Sequence, residues 1–296
     1  MGCKINTVLF SPAILFFSRR FAQRWKLKLI QAKANTSLNK FKGSKKPLLV
    51  VGAHFMKTTS PHFINFKRIL DCHQGPQVIF FGGGGDCSRS SLSYIKERNK
   101  RIPTYAFVQD DKSLELLEQM EMKHPKVYIP FKNYSRYKPV PLGSKIWVHV
   151  GFSNKPNVRN RYAVDNMVLP LIEEFGKDVS FINPKGPTKG ENFLHKKYKE
   201  CFVYVKPGTD HGATTMWELG HMGRRTICPG HDDLENVVKA PPGIKEGKNI
   251  DKLIKLIKKE KERIGTVQPS IANYVSQVHI HDESWLNIKF WKNWNG

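Results

Sequence analysis

The sequence predicts an α/β fold built as two doubly wound domains. Short apolar, strand-like runs alternate with helix-like segments along most of the chain. The alternation halts once, at "KNYSRYKPVPLGS", where prolines and glycine mark an interdomain linker, and then restarts. The length of 296 residues suits two domains of about 130 to 150 residues each.

The elements follow in order. "TVLF" reads as a first buried strand and "ILFFSRRFAQRW" as the helix after it. The strand-like runs "KLKLI", "PLLVVGA", "QVIFFGG", "TYAFVQ" and "KVYIPF" come next. The later ones are separated by the helical segments "SPHFINFKRILDC", "SLSYIKERNK" and "KSLELLEQMEMK". This is a βαβα pattern, which places a parallel sheet between two layers of helices. The second half repeats it: strand "KIWVHVGF", helix "AVDNMVLPLIEEFG", strand "DVSFIN", helix "ENFLHKKYKE", strand "FVYVKPG", helix "TTMWELGHMG" and strand "RTICPG". "NIDKLIKLIKKEKERIG" is a basic amphipathic helix. The expected domains are residues 1–141, residues 142–270 and a closing segment 271–296.

Composition narrows the function classes. The formal net charge is +24, an excess that no fold requires and that points to nucleic acid, an anionic membrane surface or an anionic small molecule. Five scattered cysteines without a CxxC pair argue against a zinc knuckle and against a disulfide framework. A reducing cytoplasm fits them, that of a phage-infected bacterium included. No acidic residue occurs before Asp71. The apolar stretch "INTVLFSPAILFF" is too short to span a bilayer, which takes about 20 residues. Arginines stand where a signal-peptide cleavage site would fall. An Arg-rich, acid-poor start is also the composition of a transit peptide, the alternative to a strand and helix.

In doubly wound sheets, ligands bind beyond the carboxyl ends of the strands, so the loops there are where chemistry is sought. "FFGGGGDCSR" sets glycines, Gly83 and Gly84 among them, directly after a strand, with Asp86 and Arg89 close by. It suits a phosphate or sugar contact, or simply a tight turn. It is neither a Walker loop nor GxGxxG. "GFSNKPNVRNR" gathers Ser153, Lys155 and Arg159, residue types that capture phosphate, although a solvated basic loop has the same composition. "KPGTDHGATTMWE" brings Asp210, Gly212, Thr214 and Thr215 to a helix start, where free N–H groups and hydroxyls can hold a diphosphate. Glu218 falls one turn into that helix. It is suited to a ribose diol, or to the helix dipole alone. "VQDD" closes a strand. Asp111 is the expected helix N-cap, which leaves Asp110 as a candidate general base. His54 in "GAHF" is a second candidate, and Asp86 a third.

These pieces resemble the GT-B glycosyltransferases, in which two Rossmann-like domains face each other and the cleft binds a nucleotide-sugar. Retaining members carry E-x7-E in the second domain, the later Glu on the nucleotide ribose. Asp210 and Glu218 keep the spacing, with Asp in the first place. The resemblance implies that Glu218 holds the donor ribose, that Lys155 and Arg159 meet its diphosphate, and that "HDESWLNIKFWKNW" is the C-terminal helix crossing back onto the first domain. It implies a nucleotide-sugar co-substrate, a UDP-sugar favoured, and no required metal. A shorter similarity is to the phage β-glucosyltransferases that modify hydroxymethylcytosine in DNA: "FVQD" and "MWE" stand where those enzymes have a strand-ending Asp base and a Trp-Glu on the nucleotide-binding helix.

The leading expectation is therefore a glycosyltransferase whose acceptor is a hydroxymethylated pyrimidine in DNA, with the positive charge on DNA phosphates. One alternative is a lipid-linked or cell-envelope acceptor. It would use "AILFFSRRFAQRWKLKLIQ" as a membrane-facing surface, with Phe16, Phe17, Phe21 and Trp25 as its apolar side unless these are core residues. The other alternative is a basic nucleic-acid-binding protein without catalysis.

Overall fold

A computed structural model describes the chain apart from residues 1–3, 12–14, 53–60, 82–86, 123–124, 151–158, 161, 183–190, 208–213, 231–233 and 294–296, and apart from the side chains of 15–17, 62–63, 182 and 191–192. It divides into two compact units. Unit 1 comprises Met1–Asn133 with His279–Gly296, and unit 2 comprises Tyr134–Val278.

Unit 1 holds five strands, β1 Thr7–Phe10, β2 Lys28–Gln31, β3 Leu48–Val51, β4 Gln77–Phe81 and β5 Thr104–Val108. They are all parallel, in the order β2-β1-β3-β4-β5. Between them run α1 Leu15–Arg24, α2 Pro61–Cys72 and α3 Arg89–Asn99, and α4 Asp111–Gln119 follows β5. Every residue of β3, β4 and β5 is buried. Both faces of the sheet are covered, so these strands are apolar throughout rather than alternating.

The period of two still sorts the side chains. Phe10, Val51, Phe80 and Phe107 enter one core with Phe21 of α1 and Trp25, the residue after it. Leu9, Val50, Ile79 and Ala106 enter the other with Phe66 and Ile69 of α2, Leu92 of α3 and Leu117 of α4. The first core is closed by the C-terminal segment. Trp285 meets Trp25 edge-on at 5.1 Å, and Trp291 stacks on Phe107 at 4.7 Å. Phe107 in turn stacks on Phe80 at 4.6 Å. The indole N–H of Trp291 donates to the Trp285 carbonyl at 2.6 Å, which satisfies a polar atom inside an aromatic layer.

Unit 2 repeats the plan with β6 Lys145–His149, β7 Val179–Ile182, β8 Cys201–Val205, β9 Arg225–Cys228 and β10 Val237–Lys239. The order is β10-β9-β8-β6-β7, again all parallel. Counted from each unit's first strand, both sheets read 2-1-3-4-5. The helices are α5 Leu169–Phe175, α6 Glu191–Tyr198, α7 Thr214–His221, α8 Ile250–Lys261 and α9 Pro269–Val278, and unit 1 closes with α10 Ile288–Lys292.

Five elements differ from the sequence reading. "KVYIPF" forms no strand. Lys126 and Tyr128 make single bridges, to Val108 and His279, in a stretch bracketed by Pro125 and Pro130, which lack the N–H groups a ladder needs. The helix over "AVDNMVLPLIEEFG" opens with a π turn at Val164–Val168. Its wide turn hands Leu169 N–H to the Val164 carbonyl just before Pro170, which has no N–H to continue an α ladder. The short strand β10 and the helix α9 are additional to the reading. Finally, "KNYSRYKPVPLGS" is a strap from Tyr134 onward: Tyr134, Tyr137 and Leu142 are buried, and it belongs to unit 2. A Cβ on Gly143 would lie 2.2 Å from the Glu200 carbonyl oxygen, so only glycine admits that approach.

The aromatic layer sets a stability prediction. Trp291→Ala is expected to lower the unfolding free energy by roughly 3 to 5 kcal/mol, the usual range for an aromatic deleted from a packed core. A urea melt followed by fluorescence and circular dichroism measures it, and a loss under about 1 kcal/mol would show that the C-terminal segment is not part of the core.

Candidate functional site

A 2-1-3-4-5 sheet has a topological switch point between its first and third strands, where the following connections leave toward opposite edges. In unit 2 that point lies between β6 and β8, which pair directly. His149 ends β6 and Lys206 follows β8. The His149 Nδ1 and the Tyr204 hydroxyl share a hydrogen bond of 2.7 Å, which fixes the imidazole at the strand end. Lys206 is only 5% exposed, and its N–H donates to the Ile227 carbonyl at 2.9 Å, continuing the ladder toward β9. Thr214 and Thr215, both half-buried, open α7 beyond the same strand. A helix start with hydroxyls, beside a strand-ending lysine, is an arrangement that accepts anions.

Glu218 lies in the next turn of α7, where the sequence placed it, but its surroundings differ from the expected open site. It is 3% exposed. Tyr198 donates to Oε2 at 2.6 Å and Tyr137 donates to Oε1 at 3.0 Å. Glu218 thus fastens α7 to the end of α6 and to the strap, and its carboxylate is not open to solvent. The network continues on both sides. Thr215 lies close to the Tyr198 hydroxyl, and Arg136 donates to the Tyr137 hydroxyl at 3.0 Å with its guanidinium over the same ring at 5.0 Å. Burial, and after it the Glu218 charge, pushes the Tyr137 hydroxyl up to about 12 and raises that of Tyr198 further. His195 packs edge-on against Tyr137 at 5.4 Å, and burial with Lys199 and Arg136 nearby holds its imidazolium below the ordinary range.

Beneath this network Arg224 is fully buried. Its guanidinium donates to the carbonyls of Val140 at 2.9 Å, Pro141 at 2.7 Å and Cys201 at 3.2 Å, and to that of Met222. These join the strap, the start of β8 and the end of α7. Burial pulls its pKa down to about 10. Sequence reading passed over both Arg224 and Lys206. The signal was present for Lys206, a lone cation closing the apolar run "FVYV". For Arg224 there was none, because an arginine flanked by polar residues reads as surface.

The remaining candidates divide. Asp110, not Asp111, is the N-cap of α4: its carboxylate accepts from the Ser113 N–H at 2.8 Å, and Asp111 pairs with Lys126. The chain has extended φ and ψ at Asp110, the conformation an N-cap takes, and helical values begin only at Asp111. Asp110 is 2% exposed, and burial raises its pKa. Arg159 forms an exposed ion pair with Asp165, the Nε–Oδ2 distance being 3.2 Å. Arg89, the first residue of α3, reaches the end of α4, donating to Gln119 Oε1 at 3.1 Å. His54, Gly83, Gly84, Asp86, Ser153, Lys155, Asp210 and Gly212 lie outside the described residues. Among the described residues no group of three or more His, Cys, Asp or Glu side chains is placed to hold a metal ion.

No family model matches the sequence, and no curated protein matches it. Among the solved structures similar in chain path are two that span most of this chain. One is the β-glucosyltransferase of phage T4, 12% identical, with 98% of each chain covered and a TM-score of 0.49. The other is TarM of S. aureus in complex with fondaparinux, α-GlcNAc-glycerol and UDP, 13% identical, with 87% of this chain and 57% of that one covered and a TM-score of 0.49. The chemistry is therefore read from this chain's own residues.

Two outcomes are expected. Above the ordinary tyrosine pKa of 10.0 the unfolded chain releases protons that Tyr137 and Tyr198 keep when folded, so their stabilisation is complete below that pH and is lost as pH rises toward 12. A Tyr137→Phe, Tyr198→Phe double variant should unfold with a flatter pH dependence over that window. At neutral pH it should be weaker by roughly 1.5 to 3 kcal/mol per hydroxyl. An unchanged alkaline slope would remove the tyrosines from the network. At the α4 cap, Asp110→Asn should hold stability within about 0.5 kcal/mol, whereas Asp110→Ala should cost about 1 kcal/mol. Equal melting points for both variants would mean that the cap contributes nothing.

Proposed function

We propose that the chain is a glycosyltransferase that moves a sugar from a nucleotide-sugar, a UDP-sugar favoured, to a hydroxyl acceptor. The observation that carries this reading is the β6–β8 switch point of unit 2. There a nearly buried lysine, a fixed histidine and a threonine-opened helix stand at the carboxyl ends of adjacent parallel strands. Cleavage of the anomeric C–O bond leaves its electron pair on the diphosphate. Groups that meet this growing charge lower the barrier most, because they act more strongly in the transition state than in the bound donor. In this reading Lys206, Thr214 and Thr215 take the phosphates, joined by Gly212 and Asp210 of the same loop and by Ser153 and Lys155 of the loop after β6. Arg159 exchanges the Asp165 carboxylate for phosphate when donor binds. Glu218 is a positioning residue that holds α7 in place through Tyr198 and Tyr137. The chain's own cations, rather than a required metal, offset the leaving group.

The favoured acceptor is a hydroxymethylated pyrimidine in DNA. The net charge of +24 supports it, since each cation placed on a backbone phosphate releases a counterion. The target base would be flipped out to reach the donor. A membrane-docked enzyme would instead need the apolar side of α1 at the surface, and Phe21 and Trp25 are 1% and 3% exposed, in the core of unit 1. Asp110, His54 and Asp86 are the candidates for the base that deprotonates the acceptor hydroxyl, and Asp110→Asn separates that role from the cap, which asparagine also makes.

The test is transfer of labelled sugar from UDP-sugars to duplex DNA containing 5-hydroxymethylcytosine. Transfer is expected, and Lys206→Ala should weaken UDP binding about tenfold, or about 1.4 kcal/mol. If UDP-sugars give neither transfer nor hydrolysis and UDP binds the variant as it binds the wild type, the reading fails. Glycolipid formed on anionic liposomes, with no DNA product, would keep the enzyme and move the acceptor to the membrane.

A further inference from the structure

Unit 1 contains a cavity of about 630 Å³ at the amino ends of β1, β2 and β3, the edge of the sheet opposite the loops considered above. It is lined by Lys26, Lys28, Lys40 and Lys46, with Ser44 and His73 among its other residues and no Asp or Glu among the described ones. The four lysines are exposed. Among the described residues, no carboxylate forms an ion pair with any of them. Glu283, which feels the charge of Lys26, is paired with Lys4. Four like charges around one concavity repel one another. Nothing in the fold's own packing needs them there, so an anionic ligand is what would relieve the repulsion.

A second observation is independent of the charge count. Lys26 has φ of 51°, in the left-handed region. It occupies the position after the α1 C-cap where glycine is usual. The Leu27 N–H bonds to the Ala22 carbonyl at 2.9 Å and the Lys26 N–H to the Gln23 carbonyl at 3.3 Å, the paired bonds of a Schellman motif. A side chain in this conformation costs about 1 kcal/mol relative to glycine. The chain carries that strain while setting an ammonium on the cavity, and strain held against a cheaper residue is characteristic of binding sites. His73 is 2% exposed. Burial, and then Arg98, lowers its pKa to about 4, so at neutral pH it contributes a neutral ring and adds no further charge.

We propose that this cavity is a second anion site, separate from the donor site, and that it takes a compact soluble ligand carrying two or more phosphate groups. Several ammonium groups around a pocket of this volume can each contact a different phosphate oxygen, and Ser44 can donate one more hydrogen bond. An extended polyanion needs a groove, whereas this is a local concavity beneath three strand ends.

Calorimetric titration of inorganic triphosphate into the full chain tests the proposal. Binding by the wild type is expected, weakened at least about tenfold in a Lys28→Glu, Lys46→Glu variant. A Lys252→Glu, Lys255→Glu variant on the exposed side of α8 makes the same charge change elsewhere and should bind as the wild type does. Lys206→Ala, which acts at the donor site, should lose only what that site binds and still take one triphosphate with the wild-type affinity of the cavity. Lys26→Gly should bind more weakly while melting at a higher temperature, as relief of the left-handed lysine requires. The proposal is overturned if the wild type does not bind triphosphate, or if the α8 variant loses as much affinity as the cavity variant. It is also overturned if only Lys206→Ala loses binding, or if a short single-stranded DNA displaces triphosphate at lower phosphate concentration, which would make the occupant a nucleic acid backbone. None of these readings depends on sugar transfer.

Discussion

The guanidinium of Arg224 is the interaction on which the organisation of unit 2 depends. It is fully buried, has no carboxylate partner among the described residues, and its N–H groups end on main-chain carbonyls from separate parts of the chain. A fork of five donors in one plane can satisfy several carbonyls at once, which an ammonium cannot match in geometry. The carbonyls it holds belong to a proline-containing strap and to the starts and ends of elements, places where no ladder supplies partners. Removing it would leave several buried acceptors bare, and each such group costs about 1 to 3 kcal/mol. Above it, Glu218 performs the converse task, accepting from two tyrosines on the strap and on α6. One buried cation and one buried anion, each satisfied by neutral partners, therefore fix the strap against α7 from both ends.

This bracing has a consequence at the carboxyl ends of the strands. The helix α7 is braced from inside the unit, through Glu218, Tyr198 and Tyr137. A helix start held in place before a ligand arrives need not be ordered when it binds, and that is the physical content of preorganisation. The same logic applies to His149, whose ring is fixed by Tyr204. The switch point of unit 2 is thus a rigid floor with loops above it, the usual division of labour in α/β sheets.

The two sheets share one strand order but differ in how they are closed. Unit 1 uses its C-terminal segment: Trp291 of α10 stacks on Phe107 and Phe107 on Phe80, while Trp285 meets Phe107 edge-on. Unit 2 uses the strap and α9, which packs on α7 so closely that a Cβ at Gly220 would come within 2.9 Å of Val275. The positive charge is likewise uneven in meaning. Lys258 and Lys261 pair with Glu174 and Asp178 on the face of unit 2, ordinary surface pairs. The lysines of the unit 1 cavity have no such carboxylates among the described residues of its walls.

The sequence by itself determined the class of fold. Runs such as "LLVV", "QVIFF" and "TYAFV" are apolar at every position because a parallel sheet covered on both faces buries every side chain, and that pattern is local. It also determined where the loops of interest fall, since a loop after a strand is read from the strand's end. Only the tertiary structure decided strand order, the fate of "KVYIPF", and which atoms satisfy the buried polar groups. Asp110 and Asp111 are chemically alike and adjacent, and the backbone angles at one residue choose the cap between them. Glu218 carries the same side chain whether it faces a ribose or two tyrosines, and Tyr137, 81 positions away in sequence, is what makes the difference. Periodicity reports which face of an element is buried. It holds no information about which distant donor arrives there, because that contact is made by the fold as a whole and leaves no repeat in the chain.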